Sequence, residues 1–293
     1  MKAYIFPNFD KKNSKKYTKD TCKILRKNGI EMSIDSEYKN VIDLGETVCY
    51  GDEDELIQNS DLVVAIGGDG TIIRCAGLAA VYNKPVLGIN CGRLGFMAAL
   101  EHSELELLSK LTTGGYSTSR RMMLKTEVYK NKKLKGTFHA LNDVVISKCI
   151  GSKIADFVVS KEGSVISSLR ADGIIFSTPT GATAYSMSAG GPILEPDLEC
   201  IEFTQICPHS LFARSMIFSA KSELLVKCNA KKDAKAVVTV DGDNVYEIGV
   251  GDHVSITKSE YSIELIDIIG GSFFNSVNEK LMQPLKENGE YQD

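Results

Sequence analysis

The segment DLVVAIGGDGTIIRCAG, residues 61–77, most constrains how this chain folds. A short apolar run of buried-strand character leads directly into a glycine-rich turn, and a helical pattern follows the turn. The start of a helix presents free backbone N–H groups and the positive end of the helix dipole, and glycines let the main chain approach phosphate oxygens closely. The segment therefore predicts a strand, a glycine turn and a helix that together bind phosphate.

Asp69 is the unusual member of this turn, because a carboxylate beside a phosphate is electrostatically costly. Its presence suggests a proton acceptor for an attacking hydroxyl, a magnesium contact, or both. The alternative is a plain turn in which Asp69 caps the helix. The spacing is neither the dinucleotide fingerprint G-x-G-x-x-G nor a P-loop, which would place Lys after the last glycine. The residues expected to bind phosphate are Gly67, Gly68, Thr71 and Arg74.

The apolar pattern divides the chain into two predicted domains. Short apolar runs alternate with helical patterns over the first 100 residues, which predicts a parallel sheet with crossover helices. Beyond about residue 119, runs such as 124–129, 140–147, 156–160 and 165–169 are typical of strands. We therefore expect an α/β domain over residues 1–118 and a β-rich, largely antiparallel domain over residues 119–266.

Two tight turns and a closing helix complete the predicted fold. Lys161-Glu162-Gly163 is expected to join two strands as a hairpin, and Asp241-Gly242-Asp243-Asn244 to join strands 237–240 and 245–248. Apolar residues in the segment 273–285 recur at helical spacing, which predicts an amphipathic helix. We expect the closing segment, residues 267–293, to pack on the first domain.

A second segment, residues 170–192, reads RADGIIFSTPTGATAYSMSAGGP and is rich in small residues and hydroxyls. Such a stretch can surround a flat base and bind its edge, while Tyr185 supplies an aromatic face. Arg170 is suited to a phosphate, and Asp172 to an amide or a ribose hydroxyl. The alternative is a structural loop with a helix N-cap at Thr180 or Thr183.

Composition excludes several functional classes. The net charge is −4, from 34 basic and 38 acidic residues without long blocks of either sign, so neither nucleic acid nor a membrane surface is an expected partner. The eight cysteines are scattered singly and are expected to be reduced thiols. The beginning of the sequence lacks the pattern of a secretory signal, and no apolar run reaches the roughly 20 residues of a membrane helix. We expect a cytoplasmic protein with no metal held by a cluster of its own side chains.

GGDGT followed far downstream by STPTGATAYSMSAGGP resembles the ATP-dependent NAD kinase family, and CPHSLFAR at residues 207–214 is similar to a further segment of that family. The GGDGT signature alone is shared with diacylglycerol and sphingosine kinases and with relatives of phosphofructokinase. The second segment selects NAD kinase. The resemblance covers residues 62–285 and is weakest over the first 60 residues.

The resemblance implies an activity and a set of site residues. The family phosphorylates the adenosine-ribose 2′-hydroxyl of NAD with Mg-ATP as donor, and its GGDG aspartate, here Asp69, activates that hydroxyl. NAD is expected between the two domains, and homodimers or homotetramers are expected because neighbouring subunits complete the site in the family. The residues that match NAD contacts of the family are Gly70, Phe96, Asn142, Asp143, Lys153, Arg170, Asp172, Thr180, Thr183, Ala184, Tyr185 and Ser188.

Some positions depart from the family pattern, and two other functions remain open at this point. Ala182 stands where the family often has Ser, and Asp243 where many members carry Gln, so that Asp243 either repels the dinucleotide or lies in a solvated turn. Asn142 and Asp143 could form only a turn, and Lys153 could be solvated. A lipid kinase would share GGDGT but lack TGATAY, whereas a non-catalytic NAD-binding regulator would share the binding residues.

Overall fold

The computed structural model describes residues 1–92, 95–149, 154–210, 213–228 and 235–270, together with Phe273, Val277 and Asn278. The chain divides into two compact units. The first comprises Met1–Cys75, Lys84–Ser119 and the segment that starts at Leu265, and the second comprises Ala76–Asn83 and Arg120–Glu264. Within the described ranges, no helix is long and apolar enough to cross a membrane.

The first unit is an α/β layer structure built on a parallel sheet. Its strands lie in the order β5-β4-β1-β2-β3, and every pairing among them is parallel. Both faces of such a sheet are covered, so its central strands are continuously apolar and buried. The elements are β1 (Lys2–Pro7), α1 (Ser14–Lys27), β2 (Glu31–Asp35), β3 (Val48–Gly51), α2 (Glu53–Gln58), β4 (Leu62–Gly67), α3 (Asp69–Val81), β5 (Val86–Asn90) and α4 (Lys110–Thr113), with 3-10 helices at Ser36–Asn40 and His102–Ser109.

Local sequence explains the helices that flank this sheet. In α1, Cys22 and Leu25 lie on the buried face. Arg26 and Lys27 lie in the last turn, where their positive charges interact favourably with the negative end of the helix dipole. The side chain of Asp52 caps α2 by accepting the N–H of Glu55 at 3.2 Å. Residues of the sheet and of α1 share an apolar core.

The second unit consists of two antiparallel sheets with a common core. One sheet runs β13-β12-β11-β8-β15-β16, and the other contains the path β10-β9-β14-β17, with β6 paired to β17 and β7. Phe157 from one sheet and Phe176 and Phe203 from the other belong to the same buried cluster. The elements are β6 (Ser117–Lys130), β7 (Lys133–Ala140), β8 (Asp143–Lys148), β9 (Ala155–Lys161), β10 (Ser164–Ala171), β11 (Gly173–Ser177), α5 (Tyr185–Ser188), β12 (Cys200–Ile206), β13 (Met216–Ser219), β14 (Leu224–Cys228), β15 (Ala236–Val240), β16 (Asp243–Ile248) and β17 (His253–Asp267), with a 3-10 helix at Gly181–Thr183.

The fold class predicted from the sequence is confirmed: an α/β part with a parallel sheet and a β-rich, antiparallel part. Both expected hairpins are present, since β9 pairs with β10 and β15 with β16. The second turn is shorter than expected, because Asp243 and Asn244 already pair with Val240 and Thr239. Only Asp241 and Gly242 form the turn, and both have positive φ angles, 48° and 92°.

One predicted strand is interrupted. The apolar run 140–147 is expected to form a single strand, but β7 ends at Ala140 and β8 begins at Asp143. Leu141 and Asn142 connect the two strands. Their N–H groups donate hydrogen bonds to the carboxylate of Asp241 rather than to a neighbouring strand. The predicted closing helix, 273–285, lies almost wholly outside the described residues.

Candidate functional site

The phosphate-binding candidate is the acidic turn, which we define as residues 67–71, from the last residue of β4 to the first turn of α3. Gly67 is buried at the end of β4, and a Cβ there would lie 2.3 Å from the hydroxyl of Thr71, so only glycine fits. Thr71 is itself buried, and its Oγ1 accepts a hydrogen bond from Asn8 Nδ2 at 3.0 Å. The first residues of α3 therefore lie against the end of β4, with Gly70 exposed. The N-terminus of α3 is therefore a candidate position for an anion.

Asp69 lies at the first position of α3, and its carboxylate is fixed by a second loop of the first unit. Oδ2 accepts the backbone N–H of Phe96 at 2.8 Å, and Oδ1 accepts that of Met97 at 3.2 Å. A Cβ on Gly95 would lie 1.9 Å from Oδ1, so this glycine makes room for the carboxylate. Asp69 and Phe96, predicted separately, thus meet in one place.

Arg74 lies one turn further along α3. It is exposed, and its guanidinium carbon lies 5.8 Å from the centre of the Phe6 ring. Its positive charge lowers the pKa of Glu53, although burial raises that pKa by more. The guanidinium of Arg74 thus lies near the Phe6 ring, its charge acts on Glu53, and its role toward phosphate stays a prediction.

The second candidate is the threonine loop, residues 177–188, between β11 and the end of α5. Thr178 N donates to Asn142 O at 2.9 Å, and Thr178 Oγ1 donates to Leu141 O. A Cβ on Gly181 would lie 2.1 Å from Asn142 O, so the loop and the connection 141–142 touch backbone to backbone. The structure thereby brings together two predicted parts of the NAD site, Asn142-Asp143 and the threonine loop.

Ser186 connects α5 to β12 through side-chain hydrogen bonds. It is fully buried, and its Oγ bonds to Glu202 Oε1 at 2.7 Å and to Thr204 Oγ1 at 2.9 Å. Burial raises the pKa of Glu202, and the hydrogen bonds from Ser186 and Thr204 oppose that rise. Because Ser186 points inward, Tyr185 is left 46% exposed and Ser188 is exposed as well. By contrast Thr180 and Thr183 are buried, and Ala184 is half-buried.

The side chains of Asn142 and Asp143 are both unusual: one lacks a hydrogen-bond donor among the described residues, and the other has a raised pKa. The side-chain oxygen of Asn142, Oδ1, is buried and meets no donor among the described residues. A buried acceptor without a donor costs free energy, which a ligand N–H or O–H can recover. Asp143 is buried, and burial together with the charge of Asp241 raises its pKa to about 7.

The basic and acidic residues of the second segment already have protein partners. Arg170 forms a two-bond ion pair with Asp156, at 2.8 and 3.2 Å. Asp172 accepts a salt bridge from Lys148 Nζ at 2.6 Å. A ligand that binds Arg170 would therefore compete with Asp156, and a ligand that binds Asp172 would compete with Lys148. Lys153 lies outside the described residues.

Sequence reasoning missed three contributors to these two regions: Asn8, Glu202 and Asp241. Asn8 and Glu202 act through contacts 63 and 16 residues away, which no local pattern reveals. Asp241 carried a signal that pointed elsewhere, because Asp-Gly is itself a strong hairpin-turn pattern.

Asp243 is exposed at the start of β16, as a solvated turn residue would be. We expect Asp243→Gln to leave the KM for NAD and the Ki for NADP unchanged, at low salt as well as moderate salt. Surface substitutions of this kind change stability by no more than about 0.5 kcal/mol. Tighter NADP inhibition at low salt in the variant would show that the carboxylate repels the dinucleotide after all.

The acidic turn, within an α/β unit accompanied by an antiparallel β unit, resembles the class of kinases that carry a GGDGT signature. Family models then separate the members of this class. Residues 4–116 match the ATP-NAD kinase N-terminal domain, and residues 141–268 match the ATP-NAD kinase C-terminal domain. The chain belongs to the NAD kinase family.

Individual relatives agree with this assignment. The chain is 36% identical over 282 residues to an NAD kinase of Acetivibrio thermocellus, covering 96% of this chain and 97% of that one. It is also 36% identical to an NAD kinase of Natranaerobius thermophilus over 94% of this chain and 96% of that one.

Two solved structures share the fold. A yeast NADH kinase, complexed with NADH, has a TM-score of 0.87 at 22% identity, covering 100% of this chain and 90% of that one. An NAD kinase from Archaeoglobus fulgidus, in complex with ATP, has a TM-score of 0.73 at 24% identity, covering 96% of this chain and 99% of that one.

Proposed function

We propose that this chain is an ATP-dependent NAD kinase, which transfers the γ-phosphoryl group of Mg-ATP to the adenosine-ribose 2′-hydroxyl of NAD. The products are NADP and ADP. The observation that carries the proposal is the carboxylate of Asp69, held by two backbone N–H groups at the start of a helix that follows a glycine turn. This arrangement combines an anion-binding helix end with a fixed proton acceptor.

The reaction asks for alignment and charge neutralisation rather than covalent participation of the protein. In the step, the 2′-oxygen forms a bond to the γ-phosphorus, the bond from that phosphorus to the bridging oxygen breaks, and ADP leaves. The hydroxyl proton passes to Asp69 and then to solvent. Because both carboxylate oxygens are fixed by N–H donors, Asp69 accepts that proton without losing its position.

Magnesium fits this site as a companion of ATP. Within the described ranges, no group of three or more His, Cys, Asp or Glu side chains could hold a metal by itself. Each oxygen of Asp69 accepts one backbone N–H and keeps further lone-pair capacity, which suits one magnesium contact. When bound, the ion would neutralise charge on the phosphates, and the protein's part is to fix Asp69 and the glycine N–H groups.

NAD binding is proposed for the polar groups of the second unit. The buried, unpaired Oδ1 of Asn142 suits an amino or hydroxyl donor of the adenosine moiety. The exposed ring of Tyr185 suits an aromatic base. Further proposed NAD contacts are Gly70, Phe96, Asp143, Lys153, Arg170, Asp172, Thr180, Thr183, Ala184 and Ser188, and the proposed phosphate contacts are Gly67, Gly68, Thr71 and Arg74. A homodimer or homotetramer is proposed from the family resemblance, and a cytoplasmic location is proposed as well.

A coupled assay tests the proposed activity. The purified chain is incubated with Mg-ATP and NAD, and the product is offered to a dehydrogenase that is strictly dependent on NADP. Product that requires both substrates supports the kinase. Binding of NAD without formation of NADP would instead indicate a non-catalytic NAD-binding protein, and phosphorylation of a diacylglycerol or sphingosine but not of NAD would indicate a lipid kinase.

Tyr185→Ala is expected to raise the KM for NAD and leave the melting temperature unchanged. The ring is 46% exposed, so its removal costs little packing in the free protein. Aromatic contacts are worth roughly 0.5–1.5 kcal/mol beyond buried area, so the KM should rise by about twofold to tenfold. Tyr185→Phe, which keeps the ring, is the control. A lower melting temperature with an unchanged KM would make Tyr185 a packing residue.

A further inference from the structure

Asp241 makes an unusual set of contacts for a turn residue. Its Oδ2 accepts the N–H of Leu141 at 2.7 Å, and its Oδ1 accepts the N–H groups of Asn142 and Asp143 at 2.8 and 3.0 Å. The partners are about 100 residues away in sequence. A carboxylate is acceptor-only, so it suits three convergent donors in a way that an amide does not.

The carbonyl oxygens of residues 141–143 also accept hydrogen bonds. Leu141 O accepts from Thr178 Oγ1, and Asn142 O accepts from Thr178 N at 2.9 Å. Asp143 O accepts the N–H of Asp241 itself at 3.0 Å. Every backbone N–H and C=O from Leu141 to Asp143 therefore has a partner, and the backbone there is held from both sides. The side-chain oxygen of Asn142, in contrast, meets no donor in the described part of the chain.

We infer that Asp241 is a positioning residue for NAD binding: its carboxylate sets the backbone of residues 141–143 and thereby aims the side chains of Asn142 and Asp143 at the dinucleotide. The inference rests on the proposed function, because Asn142 and Asp143 are NAD contacts only if the chain binds NAD. Asp241 itself touches no reacting atom in this account.

The charge of Asp241 has a second effect on the same segment. Burial raises the pKa of Asp241, and the three backbone hydrogen bonds lower it. Its negative charge in turn adds to the burial that raises the pKa of Asp143. Asp241 therefore influences both the position and the ionisation of the neighbouring site residue.

Asp241→Asn tests the inference with the smallest change of shape. Asn tolerates the positive φ of 48° at this turn position as Asp does. However, its NH₂ group must face at least one of the three N–H donors. We expect the KM for NAD to rise at least about tenfold, which corresponds to about 1.4 kcal/mol, while the KM for ATP is unchanged. Asp243→Asn, two residues away and exposed, is the matched control and should match the wild type.

A double variant separates positioning from a merely structural role. If Asp241 acts through the side chains of Asn142 and Asp143, the effects of Asp241→Asn and Asn142→Ala on the KM for NAD, expressed as free energies, should add to clearly less than their sum in the double variant. Additive effects, or a lowered melting temperature with an unchanged KM for NAD, would overturn the inference. If Asp241→Asn does not fold, Asp241→Glu keeps the charge but moves the carboxylate, and it must also raise the KM for NAD.

Titration calorimetry with NAD alone keeps this inference distinct from the proposed function. A wild-type chain that binds NAD but forms no NADP would contradict the kinase activity, and the NAD affinities of the Asp241 and Asp243 variants would still decide the role of Asp241. A wild-type chain that binds no NAD would overturn both.

Discussion

Asp69→Asn is expected to lower kcat by roughly 10²–10⁴, the range attributed to a positioned acid–base group, while NAD still binds. The amide has nearly the shape of the carboxylate but cannot accept the proton of the 2′-hydroxyl. Its NH₂ group also meets one of the two N–H donors, from Phe96 or Met97, that fix the wild-type carboxylate. The measurement is steady-state kcat, together with NAD affinity by calorimetry and the melting temperature.

A second variant tests the position of the carboxylate without removing it. Gly95→Ala places a Cβ 1.9 Å from Asp69 Oδ1, so the carboxylate must move, whereas a Cβ on Gly92 meets nothing within 4 Å. Gly95→Ala should therefore lower kcat and Gly92→Ala should not. Near wild-type kcat in Asp69→Asn would remove Asp69 from the role of base and leave it as an anchor for the loop at Phe96 and Met97.

The acidic turn could be predicted from the sequence because its physics is local. A buried strand, a glycine turn and a helix follow one another within 17 residues, and each leaves its own mark on the pattern of apolar residues and glycines. The hairpin at residues 161–163 is local in the same sense. These elements needed no knowledge of the rest of the chain.

The support of the site could not be predicted, because it depends on contacts between distant segments. The sequence offers a turn at Asn142 and Asp143 only as an alternative, and the carboxylate that holds this connection comes from residue 241. The need for glycine at positions 95 and 181 likewise comes from Asp69 and Asn142, 26 and 39 residues earlier in the chain. In both regions the motif identified the functional groups, whereas the tertiary structure revealed what holds them.

Gly181→Ala is expected to be the most damaging single-methyl change in the second unit. Its Cβ would lie 2.1, 2.5 and 2.6 Å from the O, C and Cα atoms of Asn142, which are backbone atoms rather than the end of a flexible side chain. Asn142 has little freedom to retreat, because Asp241 holds its N–H on one side and Thr178 its carbonyl on the other. Overpacking of this kind costs about 1–3 kcal/mol, and more where neighbours cannot move.

Both stability and NAD binding should respond to Gly181→Ala, because the displaced segment carries Asn142. We expect a melting temperature several degrees lower, at roughly 2–4 °C per kcal/mol for a chain of this size, and a higher KM for NAD in the folded fraction. Gly249→Ala is the matched control: it lies in the same unit, and a Cβ there meets nothing within 4 Å. If the two variants melt and bind NAD alike, the backbone contact between the threonine loop and Asn142 is not a constraint in solution, and the positioning of Asn142 must have another source.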